Sequence, residues 1–231
     1  SLMEIASEGI NITTVEDPVE YQIAGINQVQ MHDKIGLNFS SSLRSILRQD
    51  PDVLLIGEIR DEETADIAVK FSLTGHLVFS TVHANDAPST IARLLDLGVP
   101  PFLLGSSLNL IMAQRLVRTI DADNKEEYKP NENELNQIKL PKNEAGKIKF
   151  FRGKPTTDNH NSGYKGRTAI HEILEVNSDM RNLIFKNVSQ NEIRNLAIKN
   201  GMTPLREAGI NKMKAGVTTI EEVLRSTVED N

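Results

Sequence analysis

The sequence predicts an α/β protein: a parallel sheet flanked by helices, then a small flap-like insertion, then a C-terminal helical subdomain. Three observations lead there. Short runs of branched apolar residues, Val53–Ile56 above all, alternate with stretches of helical length. Residues 121–162 turn rich in Asn, Lys, Glu, Pro and Asp and poor in apolar side chains. Helix start and stop residues then recur at short intervals towards the C-terminus.

The 231 residues suffice for one large domain or two modest ones. With 39% hydrophobic and 25% charged residues, the composition is that of an ordinary globular protein. No window approaches about 18 uninterrupted apolar residues, so no membrane-spanning segment is expected. "SLMEIASEGI" has neither the basic start nor the apolar core of a signal peptide. The chain opens without an initiator Met, in what reads as the middle of a helix, and is expected to be a fragment. Cysteine is absent, which excludes disulfides and thiolate metal sites and agrees with a cytoplasmic location. A net charge of −6 and a pI near 5.5 argue against a bulk grip on nucleic acid. Aromatics at 4%, with no Trp, supply few stacking platforms for single strands.

The elements follow in order. "NITTVEDPVEY" (11–21) reads as a β-branched strand ending at Asp17-Pro18. "NFSSSLRSILRQD" (38–50) reads as a helix with Ser40 or Ser41 near its start and Pro51 beyond its end. Residues 53–58 form a strand buried on both faces. Residues 61–75 form a helix capped by Asp61 and stopped at Gly75. Residues 76–83, "HLVFSTVH", form another buried strand. Residues 85–98 form a helix with Asp86 or Ala87 near the cap and Pro88 early, and 100–118 form one more. In the polar stretch, "NELNQIKL" is a short helix and "GKIKFF" a short strand, with little core of their own. Residues 163–176 alternate like a strand, and three short helices follow. Ser189 with Glu192 and Thr218 with Glu221 read as capping boxes, Gly201 and Gly216 as stops, and Thr203-Pro204 as a helix start.

Charged residues gather where three parallel strands end. The first group is Glu16, Asp17 and Glu20, the second Glu58 with Arg60, and the third His83, with His76 at the opposite end of the same strand. In open parallel sheets ligands bind at that edge. Acids on neighbouring strands can hold a hydrated Mg²⁺ and orient a water, the requirements of phosphoryl transfer. Taken singly, each residue has a plainer account as a helix cap, solvated loop or surface ion pair. His76 and His83, seven apart, point to opposite faces of a regular strand and cannot share one metal.

These segments resemble a known family. "ITTVEDPVEY" resembles the Asp box of the secretion ATPase superfamily, "LRSILRQDPDVLLIGEIRDEETADIA" its atypical Walker B segment, and "LTGHLVFSTVHANDAPSTIARLLDLG" its His box. "GYKGRTAIHEIL" and "GMTPLREAGINKMKAGVTTIEEVLRST" resemble the family's C-terminal end, so the likeness covers nearly the whole chain. Type IV pilus assembly and type II secretion motor ATPases fit best, since related retraction ATPases lack a segment like 121–162. The resemblance implies a RecA-like core over 1–118, an insertion over 119–162 and a helical subdomain over 163–231. It also implies ATP and Mg²⁺ as cofactors, and hydrolysis in a homo-hexamer on the cytoplasmic face of the inner membrane, recruited by platform and docking proteins without direct nucleic-acid contact. Glu16 would polarise the attacking water, with Asp17 and Glu20 in support. Glu58 would hold Mg²⁺ through water, and Arg60 would be its electrostatic partner. His76 and His83 would sense the γ-phosphate or couple it to a neighbour. Arg44 and Arg48 would reach phosphate or a subunit interface, or else be surface arginines in solvated pairs. A non-catalytic ring or docking module of the same machinery is the alternative.

Two departures stand out. No G-x-x-x-x-G-K-[ST] loop occurs in the chain. In the family it lies shortly before the Asp box and is expected just upstream of Ser1, so this chain alone should bind ATP poorly. The family's two C-x-x-C pairs, a zinc site, align with Asp121, Asn124, Thr156 and Asn159, flanked by "KEEYKP" and "SGYKGR". Such oxygen ligands do not make a tight tetrahedral zinc site, so no zinc is expected.

Overall fold

The computed structural model describes residues 2–227. The chain begins with α1 (Leu2–Ile5), β1 (Ile12–Glu16), β2 (Asn27–Gln30), α2 (Phe39–Ile46) and β3 (Val53–Ile56). Next come α3 (Glu62–Leu73), β4 (Leu77–Ser80), α4 (Ala87–Asp96) and α5 (Pro101–Ser107). They are followed by β5 (Leu110–Ile120), β6 (Lys125–Tyr128), α6 (Glu132–Gln137), α7 (Lys142–Ala145), β7 (Phe150–Gly153) and β8 (Tyr164–Glu175). Last are α8 (Ser178–Phe185), α9 (Gln190–Lys199), α10 (Leu205–Lys214) and α11 (Ile220–Ser226). The described residues pack as two units. The first holds 2–84, 88–109 and 176–194, and the second 85–87, 110–175 and 195–227. These units interleave along the chain.

The first unit is built on a four-stranded, all-parallel sheet in the order β2-β1-β3-β4. Ile12 and Val15 of β1 and Leu54 and Ile56 of β3 are buried, as expected of central strands covered on both faces. Helix α2 packs on β1 and α3 on β4. Asp61 caps α3 by accepting the Thr64 amide at 2.8 Å, as the sequence indicated. Helix α2 begins within the expected span 38–50, but with another residue as its cap. Asn38, not Ser40 or Ser41, is the cap, and Ser41 returns the bond to the Asn38 amide. Strand β4 is not buried: Leu77 and Phe79 are more than two-fifths exposed, because β4 is the outermost strand and has a neighbour on one side only.

The expected single helix over 100–118 is instead α5 followed by β5. Leu108 leaves the helix in extended backbone (φ −75°, ψ 132°). Beyond it Ile111 and Val117 turn inward while Met112 and Leu116 face out, a period of two. That period is realised only because β8 is there to pair, antiparallel from Leu110↔Glu175 to Ile120↔Tyr164.

The second unit joins this long ribbon to a smaller one, β6 with β7, and to α10 and α11. The polar stretch is anchored more firmly than its composition indicated. Leu135, Ile138, Leu140 and Phe150 are buried together with Met213, Ile220 and Val223 from the last two helices. Burying each such side chain contributes about 1.5–3 kcal/mol, enough to fix an otherwise polar segment. The short strand lies at Phe150–Gly153, slightly later than "GKIKFF". Among the described residues four helices, not three, follow β8. The Ser189–Glu192 box is present in both directions. The last cap is Thr219, accepting the Glu222 amide, one residue beyond the expected Thr218–Glu221 pair. Thr218 is diverted because its hydroxyl donates to the Arg118 carbonyl at 2.8 Å.

Glu222 is diverted as well. Its side chain has no exposed surface, and it accepts from the Arg118 amide and Nε (2.7 and 2.8 Å) and from Arg225 Nε and Nη2 (both 2.8 Å). Burial alone would raise its pKa, but the hydrogen bonds from Arg225 and Arg118 more than offset this and bring it down to about 2. The Arg118 guanidinium also lies 4.0 Å over the Tyr164 ring.

Of the four positions matching the zinc slots, Asp121, Asn124 and Asn159 bond through their side chains and Thr156 through its backbone amide, its hydroxyl oxygen being buried without a partner. Asp121 and Asn159 are each 2% exposed. Asp121 Oδ2 accepts the side-chain amides of Asn124 (2.8 Å) and Asn159 (2.9 Å), which hold its carboxyl below the usual aspartate range. Asn159 Oδ1 accepts the backbone amides of Thr156 (2.8 Å) and Gly163 (3.2 Å). The amide protons point inward at the acceptor, so this set does not fit a cation. Nearby, Gly153 and Gly163 meet backbone to backbone: a Cβ on Gly153 would stand 1.7 Å from the Gly163 carbonyl oxygen.

Both buried clusters can be tested by substitution. Glu222→Ala should destabilise the protein by ~2–3 kcal/mol, less than for a pair wholly out of water because both arginines stay hydrated, measured by denaturant unfolding. Because the folded-state pKa is depressed, the wild-type contribution should be complete above the ordinary value of 4.5 and fade as pH falls towards 2, and the variant should lack that dependence. Asp121→Asn should lower the melting temperature, whereas a chelator should leave the wild-type melting temperature in place. A chelator-induced fall would contradict the closed hydrogen-bonded cluster.

Candidate active site

Parallel pairing sets Val15 opposite Ile56 and Ile56 opposite Ser80, so β1, β3 and β4 end at one edge. The segments that leave these strands therefore emerge side by side. Pairing continues one residue past β3: the Gly57 amide donates to the Val15 carbonyl at 2.7 Å. A Cβ on Gly57 would lie 3.1 Å from that oxygen and 3.4 Å from Glu16 Cα. Glycine at 57 is what lets β3 run this close to the end of β1, and Glu58 emerges next to Glu16. Together with Asp17, Glu20 and Gln28 they line one cavity of about 360 Å³.

The two central carboxylates are held differently. Glu16 Oε1 accepts from the Thr14 hydroxyl (2.6 Å) and Gln28 Nε2 (3.0 Å), which fix its orientation. Asp17 and Glu20 are exposed on the loop after β1. Glu58 is only 14% exposed. Its Oε1 pairs with the Arg60 guanidinium, the leading reason its carboxyl sits below the usual glutamate range. Its Oε2 is buried with no aligned hydrogen-bond donor. His83 Nε2 comes within 3.2 Å of that oxygen, and the His83 side chain is itself 88% exposed. A buried carboxylate oxygen short of donors has the valence left to accept from a water or to face a hydrated cation.

The remaining candidates lie elsewhere. His76 stands at the start of β4, the opposite edge of the sheet, stacked on Phe71 at 4.0 Å and bonded through Nδ1 to the Thr74 hydroxyl at 2.9 Å. Arg44 on α2 pairs with Glu63 across exposed surface, the solvated pair that the sequence left open. Arg48 is exposed just beyond α2. Neither arginine lines the cavity. The four zinc-slot positions belong to the second unit. Among the described residues no three His, Cys, Asp or Glu side chains converge to hold a metal by themselves. No helix among them is long and apolar enough to cross a membrane.

Sequence reasoning missed Gln28, which orients Glu16. It sits on β2, whose "NQVQ" has no apolar alternation to mark a strand. It also missed Thr81, whose hydroxyl donates to the Gly57 carbonyl at 2.6 Å and whose own carbonyl accepts the Ile59 amide at 2.9 Å, tying the segment after β4 to both sides of Glu58.

Comparison with known proteins places the chain in a family. The family described as "Type II/IV secretion system protein" matches residues 1–225. The type IV pilus assembly ATPase PilB of Myxococcus xanthus is 49% identical over 221 residues, 95% of this chain and 39% of that protein. The type II secretion system protein E of Xanthomonas campestris pv. campestris is 48% identical over 228 residues, 98% of this chain and 40% of that protein. Among solved structures, the pilus retraction motor PilT with bound ADP superposes with a TM-score of 0.70 at 26% identity, covering 99% of this chain and 56% of that one. The chain thus spans about 40% of the length of these curated relatives. A match along almost its whole length shows that the chain belongs to the type II/IV secretion system protein family.

Proposed function

We propose that this chain is the catalytic-edge portion of a motor ATPase whose full-length form hydrolyses ATP to drive type IV pilus assembly or type II secretion. The supporting observation is geometric: Glu16 and Glu58 open into one cavity at the carboxyl edge of a parallel sheet, and one oxygen of Glu58 is buried without an aligned donor. Glu16, oriented by Thr14 and Gln28, polarises the attacking water. Asp17 and Glu20 add negative potential at the mouth. Glu58 would hold Mg²⁺ through water, as suits an ion that keeps much of its hydration. When bound, that ion neutralises charge building on the transferred phosphoryl group. Arg60 keeps Glu58 ionised, and the exposed His83, beside Glu58, faces the γ-phosphate. The phosphate cradle comes from residues outside this chain.

In the same proposal the working form is a homo-hexamer on the cytoplasmic face of the inner membrane, held there by platform and docking proteins. Arg44, Arg48 and His76, away from the cavity, serve subunit contact or coupling.

Glu58→Gln and Glu16→Gln in the full-length protein should each lower ATP turnover by about 100-fold or more while leaving assembly intact. Steady-state hydrolysis with a sizing check measures this. Unchanged turnover in Glu58→Gln would sink the assignment in favour of a non-catalytic ring or docking module.

A further inference from the structure

We infer that Gln28 fastens the outer wall of the cavity to the Glu16 carboxylate, so that the two keep their places together and a shift of one displaces the other. The wall is the segment that joins β1 to β2. Residues 17–26 make a short crossover without a helix, where parallel strands are usually linked by about a dozen residues or more. None of these residues is buried, and Tyr21 is 79% exposed, so packing does little to hold them. Such a segment belongs to the least stable part of a fold. Yet Asp17, Glu20, Tyr21 and Ile23 all line the cavity, so the shape of the site depends on where this segment lies.

Parallel register sets Gln28 beside Thr14, and Thr14 and Glu16, two apart on β1, share a face, so the three side chains stand together. The Gln28 carboxamide reaches both ways from there. Its Oε1 accepts the Ile23 amide at 2.7 Å, and its Nε2 donates to the Tyr21 carbonyl and to Glu16 Oε1, both at 3.0 Å. These partners leave one orientation, since a backbone amide only donates while a carbonyl and a carboxylate only accept. Few side chains could replace it. Glutamate would set a second charge against Glu16, asparagine is one methylene short, and methionine supplies no N–H. Among the described residues, the bonds to Ile23 and Tyr21 are the hydrogen bonds that tie residues 20–23 to the strands. At Glu16 both protein donors, Thr14 and Gln28, reach Oε1. Among the described residues Oε2 therefore accepts no protein hydrogen bond and is the oxygen open to a water. Gln28 is a positioning residue, acting through Glu16 and through the wall.

The kinetic arm of the test rests on the function proposed above, and the exchange arm does not. In the full-length protein, Gln28→Met keeps the length of the side chain and removes all three bonds. Hydrogen exchange read by mass spectrometry should quicken about tenfold over residues 20–26, the effect of losing two ordinary hydrogen bonds, and stay unchanged over β3. Glu16→Ala, which takes the acceptor away from Gln28, should quicken exchange over the same residues, whereas Glu16→Gln, which keeps an acceptor, should not. Turnover in Gln28→Met should fall about tenfold with KM for ATP within about twofold, since small displacements of a positioned group act on kcat. In a Glu16→Gln background Gln28→Met should lower turnover no further, whereas a merely structural lesion would multiply with it. Should Gln28→Met fold poorly, Gln28→Asn, a methylene short of the same partners, should give the same exchange and kinetic changes. Unchanged exchange over 20–26 in the Gln28 variants, unchanged exchange there in Glu16→Ala, or multiplying kinetic effects would overturn the inference. If Glu16→Gln alone leaves turnover intact, the role proposed for Glu16 fails, while the exchange results still decide whether Gln28 fastens the wall to it.

Discussion

The cavity at the carboxyl edge of the sheet depends on one backbone hydrogen bond, from the Gly57 amide to the Val15 carbonyl. It extends the β1–β3 ladder one step beyond the last apolar pair, where a side chain at 57 would press on the main chain of its neighbour. With that step in place, the next residue of β3 and the last of β1 are acids in the same cavity. Without it, Glu58 would leave the sheet early, and the bonds from Thr81 and Ile59 that frame it would lose their register. The apolar run at 53–56 supplies the burial that holds the strand. The glycine gives up part of that stability for proximity.

The second unit handles charge in another way. Three acids there are almost completely buried, and each is satisfied by a different kind of donor. Glu222 uses two guanidinium groups, Asp121 two side-chain amides, and Glu172 two helix-start amides. Each joins segments distant in sequence, so each acts as a connector between elements with modest apolar surface. In a region with so polar an insertion, directional bonds of this kind define which packing is native.

Local features were legible in the sequence and non-local ones were not. The Ser189–Glu192 box and the Asp61 cap involve residues three apart, and the pattern alone identifies them. The central strands were visible because their apolar runs are too short for helices and too dense for loops. "LIMAQRLVR" satisfies both a helical and an alternating period, and the choice is made by β8, some fifty residues further on. The last cap slipped by one residue because Arg118, over a hundred positions upstream, claims Thr218 and Glu222. Of the site, the acids were legible as a cluster at strand ends. Gln28 was not, since its pairing with Glu16 is set by the register of β2 on β1 and carries no local signature.

The glycine-on-glycine contact between residues 153 and 163 has a wider implication. The excursion that leaves at one and returns at the other is cinched at its neck by bare main chain. Its two ends are thereby fixed in space whatever lies between them. Related chains can accordingly be expected to tolerate drift in the composition and length of that excursion, and even exchange of the bonding scheme inside it, while the two neck positions stay without side chains.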